Sequence, residues 1–274
     1  MSRKVAFIGA GQMGRPMVRR LVDGGFEVTV FARRAEVRDE CTAAGAHATG
    51  DMLGAVRGAE AVVVCLFSDA LVRDLAVGEA GFVAAMAPGS MLIVHTTGSP
   101  TMTRELEEAR KASSIAVVEA PVSGSADDIA AGHVTVLLAG EPAHLERARP
   151  VVSAYGDPIL DIGPLGSALA VKLLNNALFA AQLQLAGEVE RIASTFDVDM
   201  ATVAGAMQRS SGASYAMGVV ERFGSTAAVA AAAGHFLHKD VAVIEAAAAE
   251  LTLDLGMLGA VNRSGPLTFE ARPA

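Results

Sequence analysis

Phe7-Ile8-Gly9-Ala10-Gly11-Gln12-Met13-Gly14-Arg15-Pro16-Met17 is the stretch that decides the fold. An apolar, β-type run over residues 4–9 enters a G-x-G-x-x-G loop. Helical spacing over residues 16–23 leaves it, until Gly24 and Gly25 stop the helix. In that setting the first glycine permits the turn, the second lets a pyrophosphate approach the backbone, and the third lets helix and strand pack closely. Gly9, Ala10, Gly11, Gln12, Met13 and Gly14 are therefore candidate cofactor contacts. The six-residue match is weak alone and gains weight from lying between a strand and a helix.

Working outward, a second strand is expected over residues 27–32. Further apolar runs follow at 61–66, 91–95, 115–118 and 134–139, alternating with helix-like stretches at 70–77 and 101–112. Repeated strand–helix–strand order implies a mostly parallel sheet covered on both faces, a doubly wound α/β arrangement of Rossmann type. After about Gly163 the pattern changes to Ala, Leu and Val at helical spacing. The expected organisation is an NAD(P)-binding domain over residues 1–163 and an all-helical domain over residues 164–274 for substrate and dimerisation. The first helix of the latter is expected to run from about residue 165 to 196. The alanine-rich pieces at 227–233 and 246–249 read as packed helix rather than linker.

Composition narrows the function classes. The 274 residues are 52% hydrophobic and 19% charged, which suits a compact protein and opposes disorder. A net charge of -8 supplies no basic field for a polyanion, so no nucleic-acid partner is expected. Cys41 and Cys65 cannot form a disulfide framework and read as reduced thiols of a cytoplasmic protein. The basic start Met1-Ser2-Arg3-Lys4 leads into a first strand rather than a signal peptide. No apolar run reaches about 18 residues without Gly, Pro or charge, so no membrane partner is expected. His235 and His238 stand three apart, but no acidic or sulfur partner has a recognisable spacing, so no metal is expected. His95, at the end of a strand, is read either as a core imidazole or as a pocket contact.

Three further stretches carry chemistry. At the end of the second strand, where Asp or Glu would hold the ribose hydroxyls of NAD, the chain has Arg33 and Arg34. Their guanidinium forks match a ribose 2′-phosphate, so the expected cofactor is NADP, with NAD possible because Glu36 is close. Glu119-Ala120-Pro121-Val122-Ser123-Gly124-Ser125 ends a strand at the ligand-binding edge of such a sheet, and its hydroxyls and amides suit an anion. Lys172, followed by Asn175 and Asn176, presents an amine and an amide on one helical face. An amine can take the proton released when hydride leaves a carbinol carbon, and an ammonium can return it.

With these landmarks in order, the sequence resembles the β-hydroxyacid dehydrogenase family. That family includes 3-hydroxyisobutyrate dehydrogenase, tartronate semialdehyde reductase and the glyoxylate and succinic semialdehyde reductases. The resemblance covers nearly the whole chain, through the glycine loop, Ala120-Pro121-Val122-Ser123-Gly124, Lys172 to Asn176, and Lys239-Asp240. It implies Lys172 as general acid/base, with Ser123, Gly124, Ser125 and Asn176, or alternatively Asn175, holding a small hydroxyacid or aldehyde. It further implies cofactor contacts from Leu66, Phe67, Thr97 and Lys239. Ser125 stands where the family usually has a second glycine, Asp127 and Asp128 replace small residues, and Phe67 replaces a common proline. The 6-phosphogluconate dehydrogenases also use a lysine helix but normally carry a histidine before the final asparagine, and imine reductases generally lack the lysine. The competing class is an NADP-binding sensor or interaction protein without turnover. The apolar helical half implies a homodimer or higher homo-oligomer.

Overall fold

The computed structural model describes residues 4–78 and 81–269. Its central strands, over residues 4–8, 61–64, 91–94 and 116–119, are short runs rich in Val, Ile, Leu and Ala whose alternate residues enter different cores. Val5 and Phe7 join one hydrophobic cluster while Ala6 and Ile8 join another, and Ile93 and Leu92 divide likewise. A strand buried on both faces needs helices on both sides, which is why the apolar runs are continuous rather than alternating.

The strands are β1 (Lys4–Ile8), β2 (Glu27–Phe31), β3 (His47–Thr49), β4 (Ala61–Val64), β5 (Met91–Val94), β6 (Ala116–Glu119), β7 (Val122–Ser123), β8 (Val134–Ala139) and β9 (Gly156–Gly163). Between them run α1 (Gly14–Asp23), α2 (Ala35–Ala43), α3 (Met52–Val56), α4 (Asp69–Val72), α5 (Pro100–Ser113), α6 (Ala126–Ala131) and α7 (Pro142–Val152). The sheet order is β3-β2-β1-β4-β5-β6-β8-β7, with β9 beside β8. From β3 to β6 all neighbours are parallel, whereas β6–β8 and β7–β8 are antiparallel. The order reverses beside β1, so the loops after β1 and β4 flank the crevice where such sheets bind ligands.

One cluster packs Met17, Val18 and Leu21 of α1, Ile129 of α6 and Leu145, Ala148, Val151 and Val152 of α7 against the sheet. The other packs Val56, Val72, Phe82, Met102, Leu106 and Leu169 on the opposite face. Fully burying side chains of this size contributes roughly 1.5–3 kcal/mol each.

The second half is helical: α8 (Ser167–Ala193), α9 (Met200–Met207), α10 (Tyr215–Phe223), α11 (Thr226–Glu250) and α12 (Gly256–Ser264). The chain divides into two compact units, Met1–Lys172 and Leu173–Ala274, so the division falls within α8. Serines fix several helix starts: Ser214 accepts from the Met217 amide and Ser225 from that of Ala228. The core of the second unit contains Ala180, Leu183, Ala186, Met200, Ala204, Met217, Val220 and Leu237, with Leu173, Ala177, Ile244 and Ala247 as a smaller cluster.

Both alanine-rich pieces lie on α11, a helix long and apolar enough by length and composition to cross a membrane. Only 22% of that window is buried, and Gly234, Lys239 and Asp240 interrupt it. Met1–Arg3, the start of the basic N-terminal stretch, lie outside the described residues.

Candidate active site

The three glycines of the first loop sit in different surroundings. Gly9 has a φ of +103°, and a Cβ there would lie 2.3 Å from the Cys65 carbonyl oxygen. A Cβ on Gly14 would lie 2.2 Å from the Gly9 carbonyl oxygen. On Gly11 a Cβ would meet nothing within 4 Å. The outer two glycines thus serve chain packing, whereas the middle one leaves open space at the start of α1. That open backbone at a helix N-terminus fits the pyrophosphate of a dinucleotide.

At the end of β2, Arg33 and Arg34 are both exposed. Arg38, one turn into α2, donates to the carbonyls of Ala32 and Arg33 at 2.9 Å each, holding the loop that presents them. Leu66 and Phe67 follow β4 and Thr97 follows β5. The buried Thr96 hydroxyl accepts from the Leu66 amide (3.0 Å) and donates to the Leu66 carbonyl (3.1 Å), tying these two loops together.

His95 does not line an open pocket. It is buried, its Nδ1 lies 2.5 Å from the Ala120 carbonyl, and its Nε2 lies 2.8 Å from the Tyr155 hydroxyl. Burial lowers its pKa to about 4 against the opposing Ala120 bond, and burial raises that of Tyr155 well above its usual value. At neutral pH the ring is uncharged and the phenol protonated.

The candidate anion turn follows directly. β7 pairs Ser123 with Thr135, leaving Ser123 half-buried and Gly124 exposed at a φ of +143°. Ser125, a candidate substrate contact, is exposed. It caps α6 reciprocally with Asp128: the Asp128 amide donates to Ser125 Oγ, while the Ser125 amide (2.6 Å) and hydroxyl (2.8 Å) donate to the Asp128 carboxylate.

Glu119, the last residue of β6, is fully buried. One carboxylate oxygen accepts from the Thr103 hydroxyl at 2.9 Å and the other from the Leu169 amide at 3.4 Å. Burial raises its pKa, opposed by Thr103 and by the amides of Gly166, Leu169 and Ala168. A carboxylate at the start of α8 also complements the helix dipole. It joins the strand leading into the anion turn to the first turn of the helix carrying Lys172, which is half-buried.

In the second unit, Asn176 is buried and donates to Asp240 Oδ2 at 2.8 Å, while Lys239 Nζ lies 2.8 Å from Asp240 Oδ1. Asn175 is exposed and donates to Asn176 Oδ1 at 3.2 Å. Asn176, Asp240 and Lys239 thus form one polar cluster, with Asn175 at its margin. Elsewhere in the first unit, a cleft of about 890 Å³ is lined by α5, residues 140–146 and residues 161–165. It contains none of the glycine loop, Ser123 or Lys172, and its Arg110 is paired with Glu107 and Glu141.

Among the described residues there is no group of three or more His, Cys, Asp or Glu placed to hold a metal ion. His238 instead meets the Phe269 carbonyl at 3.0 Å. Sequence reasoning gave no role to Arg38, Glu119 or Tyr155. A charged residue closing an apolar strand was a signal for Glu119, and for Tyr155 the only one was scarcity, since the chain has two tyrosines.

Comparison with known proteins adds to this geometry. Residues 4–163 match the family described as the NAD binding domain of 6-phosphogluconate dehydrogenase, and residues 166–264 match that described as NAD-binding of NADP-dependent 3-hydroxyisobutyrate dehydrogenase. The chain is 34% identical over 217 residues to an NAD-dependent L-serine dehydrogenase of Pseudomonas aeruginosa, covering 79% of this chain and 73% of that protein. To the 3-hydroxyisobutyrate dehydrogenase of the same organism it is 30% identical over 213 residues, covering 78% and 72%. The fold is that of the Mycobacterium tuberculosis 3-hydroxyisobutyrate dehydrogenase solved with L-serine. The TM-score is 0.86 at 24% identity, over 96% of this chain and 92% of the other.

Proposed function

The chain belongs to the β-hydroxyacid dehydrogenase family of NAD(P)-dependent oxidoreductases, and from that premise we propose that it interconverts a small β-hydroxyacid and its oxo or semialdehyde partner. The observation that carries this reading is the buried Glu119, bonded to Thr103 and to the first turn of the lysine helix. One rigid junction serves both the strand end that leads to Ser123 and the helix that carries Lys172.

In this reading the Ser123 hydroxyl and the amides at Ser123 and Gly124 receive the substrate carboxylate. Lys172 accepts the carbinol O–H proton during oxidation and returns it to the carbonyl oxygen during reduction. The nicotinamide, when bound, accepts or supplies the hydride. Gly9 to Gly14 hold its pyrophosphate, with Leu66, Phe67 and Thr97 on neighbouring loops as the other cofactor contacts of the first unit. Asn176, with Asp240 and Lys239 behind it, is the amide that serves substrate or amine, and the family pattern gives Lys239 a place beside the cofactor.

The preferred cofactor is NADP, because Arg33 and Arg34 offer two exposed guanidinium groups on a loop braced by Arg38. A panel of small hydroxyacids and aldehydes, including L-serine and 3-hydroxyisobutyrate, followed through NADPH and NADH absorbance, tests substrate class and cofactor together. Replacing both arginines by alanine should raise KM for NADPH about tenfold or more, leaving KM for NADH within about twofold. Equal loss with both cofactors would refute the 2′-phosphate assignment. Saturable NADPH binding without turnover of any panel member would replace the enzyme reading by that of an NADP-binding sensor.

A homo-oligomer is part of the same reading. Val171, Leu174, Leu178, Leu185 and Ile192 form an exposed stripe on α8, with residues 171, 178, 185 and 192 seven apart, and Leu174, Leu178 and Leu185 are about half exposed. Such a seam suits a helix of another copy. Light scattering should give twice the 28.0 kDa chain mass or a higher multiple, and Leu178→Glu with Leu185→Glu should lower it. A monomer mass for the unmodified chain would refute the proposal. Among the described residues neither Cys41, which is buried, nor Cys65, which is half-buried, is in a disulfide, and a cytoplasmic location is part of the same proposal.

A further inference from the structure

We infer that His95 and Tyr155 are a positioning pair that sets the height of the substrate turn by holding the Ala120 carbonyl. The inference rests on the assignment of Ser123 and Gly124 to the substrate carboxylate.

Hydrogen-bond logic fixes every proton in the pair. The Ala120 carbonyl can only accept, so His95 Nδ1 carries hydrogen and Nε2 carries a lone pair. Tyr155 must then donate to Nε2. The two rings meet edge to face at 74°, with centroids 5.5 Å apart. Both side chains are closed off from solvent, so a lost partner leaves a buried polar atom unsatisfied.

The carbonyl held in this way is a hinge point. Ala120 is the last residue whose amide extends the parallel ladder, donating to the Val94 carbonyl at 2.8 Å. Pro121 follows with no N–H, and the chain then turns into the antiparallel pairing of β7 with β8. The imidazole braces the chain where it changes from one pairing to the other, three residues before Ser123. Tyr155 comes from the link between α7 and β9, so the brace is fixed from a third element. The adjacent Thr96 ties in the loop at Leu66, and the dipeptide His95-Thr96 therefore secures the loops after β4, β5 and β6 together.

An apolar pair of similar volume would fill this part of the core at lower desolvation cost. What the imidazole adds is direction, because a donor of fixed geometry locates one carbonyl. A displacement of about 1 Å in a substrate-holding turn is enough to lower productive binding strongly.

The test compares wild type with Tyr155→Phe, His95→Leu and His95→Asn. Asparagine keeps an N–H donor at the place of Nδ1 but offers Tyr155 nothing. His95→Leu should raise KM for the hydroxyacid about tenfold and Tyr155→Phe about threefold, with kcat within about threefold and the NADPH Kd within about twofold. His95→Asn should bring KM back to within about threefold of wild type. Hydrogen exchange at residues 122–125 should quicken in His95→Leu and recover in His95→Asn. Loss of kcat at unchanged KM, an asparagine variant no better than leucine, or unchanged exchange in the turn would each overturn the inference. If the leucine variant does not fold, Tyr155→Phe and His95→Asn decide by the same criteria. Should the wild type turn over no hydroxyacid, the substrate reading fails, while the exchange measurements still decide whether the pair holds the turn.

Discussion

Lys172→Ala is expected to fold, to bind NADPH with unchanged affinity, and to lose about 10²- to 10⁴-fold in kcat, the usual contribution of a positioned acid or base. Affinity should hold because the phosphate contacts proposed for the glycine loop and the arginine loop do not involve this side chain. Folding should hold because Lys172 is half-buried, while the helix start is secured independently by Glu119 accepting from Leu169. Lys172→Arg separates proton transfer from simple charge. Arginine keeps the positive charge but does not give up its proton near neutral pH. If Lys172 moves a proton, arginine should restore substrate binding and leave kcat close to that of alanine. If the charge alone matters, arginine should recover most of the rate, and undiminished turnover in Lys172→Ala would end the assignment.

Gly14→Ala and Gly11→Ala should fail in opposite ways although they lie three residues apart. A methyl group at Gly14 would lie 2.2 Å from the Gly9 carbonyl oxygen and 3.0 Å from the ring of Phe7, a fully buried residue. Neither neighbour can yield cheaply, so α1 must move off the sheet, with an expected cost of about 1–3 kcal/mol or more. Thermal melting should show this as a marked fall in Tm without any cofactor present. A methyl group at Gly11 meets nothing, so Tm should stay within about 1 °C. It would occupy the space proposed for the pyrophosphate, and the NADPH Kd should rise about tenfold or more. Fluorescence titration and melting curves on both variants check the pair. Equal melting temperatures would refute the packing role of Gly14, and unchanged binding by Gly11→Ala would remove the glycine loop from the cofactor site.

Much of this could be read in the chain because the signals are local. Continuous apolar runs marked β1, β4, β5, β6 and β8 to within a few residues, since a strand buried on both faces leaves that pattern wherever it occurs, and β2 showed as an alternating β-type run. The glycine loop was legible because the demands on Gly9 and Gly14 arise within a few residues of chain and at the strand end beside them. Short elements were not. β3 and β7, of three and two residues, have no periodicity to detect, and α2 is too polar to show a clean apolar face. The polar pairs within each unit were hidden for a different reason. His95 and Tyr155 are 60 residues apart, Thr103 and Glu119 are 16 apart, and Asn176 and Asp240 are 64 apart. Such pairs exist only after the sheet and bundle have formed. Sequence reading placed Asn176 beside Lys172 by helical spacing, yet nothing along the chain indicated that Asp240 would hold its amide. Ser125 shows the converse. Its position beside Ser123 and Gly124 suggested a substrate contact, and only the completed turn reveals that Asp128 engages its hydroxyl.

The reciprocal bonding of Ser125 and Asp128 bears on how this enzyme could acquire a new substrate, whether by natural drift or in the laboratory. A library that randomises the whole turn would spend most of its members breaking the start of α6, because two of the positions are committed to each other. On the proposed assignment of this turn to the substrate carboxylate, Ser123 and the exposed Asp127 are the positions left to adjust, one for the shape of the bound acid and the other for its charge. The route to an altered specificity is therefore narrow but mild, since neither change disturbs the cap that keeps the turn in register.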